Sequence, residues 1–279
     1  MTQEMNIFKD KESEGKDLIR NAQGYDCSFI FKGKKIWFSS KNLERFKKEF
    51  EKRFDIEISC WCVNDGVLIS IDDNTAIFTG TELDNVFRGR NDLMYLNLSN
   101  WDVSKCCSFT SMFNRCSELE RIDISTWDVS NADNFVAMFK YCLKLKTIDI
   151  SGWDVSSCKN FSKMFEECRN LSDLDLSRWD VSSCKNFRNM FKKCEKLRYL
   201  NLSGWDVSNG SAFDQMFAEC KELKILDISG WKLPNDAWIR DIFSSCNSLR
   251  RIYAIGCNRA MINTIDRLCE STNYEIIAE

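Results

Sequence analysis

Fifteen cysteines and no histidine define the chemistry this sequence could carry. Thiols ligate metals, form disulfides and act as nucleophiles. Six of them, Cys116, Cys142, Cys168, Cys194, Cys220 and Cys246, recur every 26 residues. Cys106, Cys158 and Cys184 form a second column at the same period, and Cys60-x-Cys62 with Cys27 forms a third group. A zinc site needs ligands converging tetrahedrally, usually from closely spaced Cys or His pairs. One cysteine per repeat, with no histidine to complete a set, reads instead as a small buried hydrophobe. A metal at Cys27, Cys60 and Cys62 is the weaker alternative, so no metal and no cofactor is expected. The missing histidine also removes the commonest general base and every Ser-His or Cys-His pair. No catalytic residues stand out, and the chain does not read as an enzyme.

Carboxylates repeat as well. Asp102, Asp128, Asp154, Asp180 and Asp206 form one column that could bind calcium, but each is followed by Val-Ser rather than by a Gly-rich ligand set. Aspartate and serine so spaced cap turns by accepting and donating hydrogen bonds to nearby backbone. Asp123, Asp149, Asp175 and Asp227, with Asn97 and Asn201, form a second column in mid-strand, read as solvated or paired with neighbouring bases.

These residues are positioned by a repeat. Trp101, Trp127, Trp153, Trp179, Trp205 and Trp231 are each 26 residues apart, and the first five open Trp-Asp-Val-Ser. Phe109, Met112, Phe113, Cys116 and Leu119 fall on one face of a short helix. Leu119, Ile122 and Ile124 then follow strand alternation. One helix and one strand per unit, about seven units starting from Leu83, predict an α/β leucine-rich-repeat solenoid. Strands pack about 4.8 Å apart and helices about 8 to 10 Å, so the parallel sheet is expected on a concave face and the helices on a convex one.

The expected boundaries are an α+β N-terminal domain or cap at 1–76, the solenoid at 77–256 and a C-terminal helical cap at 257–279. Cys27 to Phe31 and Lys35 to Phe38 read as strands. Ser39 and Ser40 precede a helix carrying Leu43, Phe46, Phe50 and Phe54 on one face. Ile56 to Val63 and Val67 to Ile71 flank the turn residues Asn-Asp-Gly. Near the C-terminus, Asn258 to Glu270 reads as a helix with Ile262, Ile265, Leu268 and Cys269 inward, followed by a strand from Tyr274 to Ile277.

The units, carried by Leu-Asp-Leu-Ser-Arg-Trp-Asp-Val-Ser at 174–182 and Asn-Met-Phe-Lys-Lys-Cys at 189–194, resemble the BspA-like leucine-rich repeats of bacterial and some protist surface proteins. The resemblance covers about residues 77–256. It implies a right-handed solenoid used for protein binding or adhesion. The start of the chain shows no apolar signal-peptide core, so reduced thiols and a cytoplasmic location are expected, with a secreted or surface adhesin as the alternative. The lysine- and asparagine-rich composition suggests an AT-rich bacterium or a phage of one.

Columns that vary where structure does not require it point to a binding face. On the expected strand face these give Tyr95, Arg121, Lys146, Arg198, Tyr199, Lys224, Ile225, Arg250, Arg251 and Tyr253. Aromatic and apolar groups among arginine and lysine are the composition of binding hot spots. A net charge of −3 gives no global attraction to nucleic acid. The expectation is a non-enzymatic module, inhibitor or scaffold that binds a protein or ribonucleoprotein, with a host defence nuclease among the candidate targets. Direct nucleic-acid binding and membrane contact are not expected. An enzyme with a site in the N-terminal domain is the remaining alternative, and oligomeric state is left open.

Overall fold

The computed structural model describes residues 27–31, 34–38, 43–54, 59–63, 66–70, 75–78, 80–269 and 275–278. Strands β1 (Cys27–Phe31) and β2 (Lys34–Phe38) form an antiparallel hairpin. Helix α1 (Leu43–Phe54) follows and buries Phe46 and Phe50, four residues apart with rings 5.5 Å from each other. Then β3 (Ser59–Val63) and β4 (Gly66–Ser70) pair antiparallel, while Asn64 and Asp65 of the predicted turn lie outside the described residues. All five lie where the sequence predicts strand or helix. The proposed cap at Ser39 and Ser40, and the side chains of Phe54, Cys27, Cys60 and Cys62, lie outside the described residues. Strand β5 (Thr75–Phe78), which patterning does not single out, pairs with β4 and also, in parallel, with β7 (Asn100–Asp102). The leading sheet thus runs directly onto the first coil.

Each coil then has three sides: a turn segment such as Phe109 to Cys116, a strand segment, and a Trp-Asp-Val-Ser corner. The turn segments correct one expectation. They are not helices. Their apolar spacing is kept by consecutive turns, with Ser111 at φ 56° and Arg115 at φ 65°. The amides of Phe109, Ser111, Phe113 and Arg115 donate to the carbonyls of Asn134, Val136, Met138 and Lys140 in the next coil. Those of Met112, Asn114 and Cys116 donate three residues back within the coil. In a helix every interior amide would bond within its own segment. Here half the donors stitch coil to coil, at 2.6 to 3.0 Å in each of the six junctions. The turn face therefore shares the close spacing of hydrogen-bonded backbone, and the helix-packing reason for a convex face no longer applies.

The expected strand per coil is present. Strand β6 (Tyr95–Asn97) pairs in parallel with β8 (Arg121–Asp123). Residues 147 and 173 form a single parallel bridge. Strands β9 (Tyr199–Asn201), β10 (Ile225–Asp227), β11 (Arg251–Tyr253) and β12 (Glu275–Ile277) complete a four-stranded parallel sheet. The fold is a parallel-strand solenoid of about seven turns, with α-helix, among the described residues, confined to α1 and α2 (Arg259–Cys269).

Between the sides runs one continuous core. Cys116, Cys142, Cys168, Cys194 and Cys220 are wholly buried beside their Met-Phe pairs, as expected. They also do something sequence does not reveal. Each thiol donates to the carbonyl of the phenylalanine 29 residues earlier, as Cys168 Sγ does to Phe139 O at 3.0 Å. The five tryptophans from Trp127 to Trp231 use the same offset, Trp179 Nε1 donating to Ile150 O at 3.0 Å. Each of these carbonyls also accepts from a backbone amide three residues further on, as Phe139 O does from Cys142, so the side chain fills the second acceptor position of a buried carbonyl. Rings stack through the coils, Phe139 over Phe165 at 5.7 Å and Trp127 over Trp153 at 6.3 Å. The second cysteine column is also buried at Cys106, Cys158 and Cys184, and passes to Gly210. A Cβ there would lie 2.3 Å from Phe213 Cζ, so only glycine lets that ring fill the space.

At the far end α2 buries Met261 and Ile265, while Ile262 is half-buried; the side chains of Leu268 and Cys269 lie outside the described residues. Asn258 caps the helix by accepting from the Met261 amide at 3.2 Å, and its Nδ2 donates to Leu233 O.

Candidate interaction surface

The strand face positions its outward residues by register. In the four-stranded sheet Leu200, Leu226 and Ile252 point into the core and are fully buried. Their neighbours must therefore point out. Tyr199, Ile225, Arg251 and Glu275 stand side by side in one column, and Asn201, Asp227, Tyr253 and Ile277 in the next. Arg198, Lys224 and Arg250 flank the first column. Seven of the ten candidate residues thus meet on this one sheet. Tyr199 is 53% exposed, and Ile225 and Tyr253 are half-buried. The other three, Tyr95, Arg121 and Lys146, are exposed near the N-terminal end of the face, where Tyr95 and Arg121 share a register. Together with Asn97, Asp123, Thr147 and Asp149, Tyr95 and Arg121 border an open depression of about 800 Å³.

The basic groups are not all free. Arg198 Nε lies 3.0 Å from Glu222, which Lys196 also contacts, and Arg251 Nε lies 3.1 Å from Glu275. Lys146 pairs with Glu120 at 2.7 Å. Arg250 donates to the carbonyls of Asn247 and Leu249. Lysine and arginine hydrogen bonds hold the Glu222 and Glu120 carboxyls below their usual range, and Glu275 raises the Arg251 guanidinium. Among the described residues Arg121 and Lys224 have no ion pair. Sequence reading missed these three pairings. A usable signal was present, since Glu120 and Lys146, like Lys196 and Glu222, stand one period apart and so stack in one column.

Both aspartate columns prove to be corner caps. Asp154 accepts from the Ser156 amide at 3.0 Å and its hydroxyl at 2.7 Å, as predicted for that column. The mid-strand column does the same instead of pairing with bases: Asp175 accepts from Ser177, and Asn201 from Ser203. The side-chain and backbone bonds from Ser156 lower the Asp154 pKa, and those from Ser177 and Ser208 lower Asp175 and Asp206. Burial pushes the thiol of Cys116 up to about 11 and that of Cys246 up to about 12, which makes them poor nucleophiles and poor ligands. Among the described residues no three Cys, Asp or Glu side chains converge as a metal site. No described helix is long and apolar enough to cross a membrane.

A family model described as "Mycoplasma protein of unknown function, DUF285" matches residues 81–199 and 170–255. No curated protein matches. Among solved structures, a leucine-rich-repeat protein of Leptospira interrogans matches at 14% identity and a TM-score of 0.25, over 64% of this chain and 61% of that one. The chain thus spans less than two thirds of that protein's length. The family model covers more than half of the present chain, which belongs to that family.

Proposed function

We propose that this member of the family is a non-enzymatic binding module that engages a protein or ribonucleoprotein partner through the strand face of its solenoid. The observation that carries the reading is the column Tyr199, Ile225 and Arg251, set in adjacent registers and flanked by Arg198, Lys224 and Arg250. A rigid sheet presents these groups without an ordering cost, and aromatic and arginine side chains dominate interface energies. The surplus of base over acid on this sheet favours an acidic partner surface. A scaffold role and inhibition of a nuclease are both compatible with such a surface.

The reading is tested by affinity capture from the source lysate, with nuclease controls, comparing the native chain with Tyr199→Ala/Arg251→Ala. Loss of the partner, by about thirtyfold in affinity, is expected for the double variant. Lys185→Ala/Arg188→Ala, on the opposite side and exposed, should retain it. The reverse pattern would move the site off the strand face.

The reading includes action in a reducing compartment, with a secreted adhesin as the competing case. Buried thiols that donate to carbonyls support it, because oxidation would break those bonds. Alkylation of native protein from its own cells should recover free thiols after denaturation without reductant. Several thiols recovered only after reduction would favour the adhesin.

A further inference from the structure

At each of the six coil junctions, four alternate amides of one turn segment donate to the next coil, as Phe213, Gln215, Phe217 and Glu219 do to Trp238, Arg240, Ile242 and Ser244. The equivalent donors of the last coil are the amides of Ile239, Asp241, Phe243 and Ser245. Among the described residues these four have no partner. The C-terminal cap closes the other sides: β12 extends the strand face, the Asn258 amide reaches Trp231 O, and α2 fills the core end. Among the described residues the turn-face edge is left as an open row of donors.

Beside that row stands Trp238. Its column holds Ser108, three asparagines and Ala212 in the preceding coils, yet here it carries the largest side chain, 62% exposed. Arg240 lies with its guanidinium 5.9 Å from the indole centroid and is itself 78% exposed. An aromatic platform with an adjacent cation, next to unpaired backbone donors, combines the two parts of strand-addition recognition: main-chain bonds for affinity and a side-chain contact for specificity.

We propose that this edge is a docking site for a segment of a partner protein that takes up the conformation of the internal turn segments, presenting carbonyls at alternate residues and an apolar or aromatic side chain to Trp238. Hydrogen-bond complementarity selects that occupant. Two copies of the edge cannot pair with each other, because both offer only N–H groups. The opposite end of the solenoid is continued by β5, and Glu82 and Asp84 there already have partners. The internal junctions define the bonding the segment must reproduce, with N···O of 2.6 to 3.0 Å.

The test is residue-resolved hydrogen exchange on the full chain, with a synthetic peptide of residues 211–221 as probe, since that segment supplies such a carbonyl row within the fold. In the free protein the four edge amides should exchange far faster than those of Phe213, Gln215, Phe217 and Glu219. Peptide at about 1 mM, bound with a Kd of about 0.1 mM, should slow all four by about tenfold. Trp238→Ala should lose most of that slowing while leaving the melting temperature in place, because the ring is largely outside the core. Edge amides already as protected as those of coil six, or no slowing with peptide on the folded chain, would overturn the proposal.

Discussion

On the turn face every second amide is tied to the next coil, and two residues per coil are held at φ near +60°, whereas on the strand face only strand register is imposed. The consequences for sequence are opposite. The positive-φ positions run Asn85, Ser111, Ala137, Lys163, Asn189, Gln215 and Asp241, then Gly89, Arg115, Tyr141, Glu167, Lys193, Glu219 and Ser245. Not one is β-branched, the class that tolerates this region worst. The strand-face columns include Thr147 and Ile225 beside Tyr, Arg, Lys and Asp. Variation there is unconstrained by backbone, which is why a binding surface can be read from it.

The largest expected contrast is between an inward ring of the turn face and an outward one of the strand face. Phe165→Ala removes a fully buried ring stacked between Phe139 and Phe191. It should cost about 3 to 5 kcal/mol in a denaturant titration, a large share of a typical domain's stability. Tyr199→Ala should cost under about 0.5 kcal/mol. Comparable losses at both sites would mean that the strand face is part of the core and not a free surface.

A smaller contrast isolates the backbone. Lys163→Val forces a β-branched residue into φ 62° and should cost about 1 to 3 kcal/mol. Ser172→Val, on an exposed strand segment that suits valine, should stay within about 0.5 kcal/mol. Equal effects would remove the left-handed turns as the source of the turn face's constraint.

The same residues show why the repeat was legible and its turn segments were not. Period, inward residues and corners were fixed by side-chain type alone: only buried positions hold Trp, Phe, Met and Cys in register over coil after coil. The spacing of Phe109, Met112, Phe113 and Cys116, however, suits both a 3.6-residue helix and turns that repeat every four residues. What separates them is backbone φ at Ser111 and Arg115, visible in sequence only as a lack of β-branched residues down two columns. On the strand face the outward column was legible because strand alternation dictates it. The glutamates that neutralise Arg198 and Arg251 were not, because Glu222 lies outside the candidate columns and Glu275 joins its column only through the register of β12 with β11, which the repeat period does not give. The open amide edge was invisible for a further reason: it is made of backbone, and only the termination of the coils exposes it.

The smallest contrast concerns the corners that join the faces, where charge and hydrogen bonding can be separated. Ser156, Ser177 and Ser208 hold Asp154, Asp175 and Asp206 below the usual 3.8. A carboxylate whose pKa is depressed on folding contributes stability that is fully present above its unfolded pKa and is lost as pH falls through the folded value. Stability should therefore decline below about pH 4, with each corner contributing modestly because all three are largely exposed. Asn97 and Asn201 already make the same bonds to Ser99 and Ser203 without a charge. Replacing all three aspartates by asparagine should therefore leave the melting temperature at pH 7 nearly unchanged and make its fall below pH 4 shallower. A loss at pH 7 would show that the corners need the negative charge itself, and an unaltered acid limb would assign the pH dependence to the paired glutamates of the two faces, Glu120, Glu167 and Glu222.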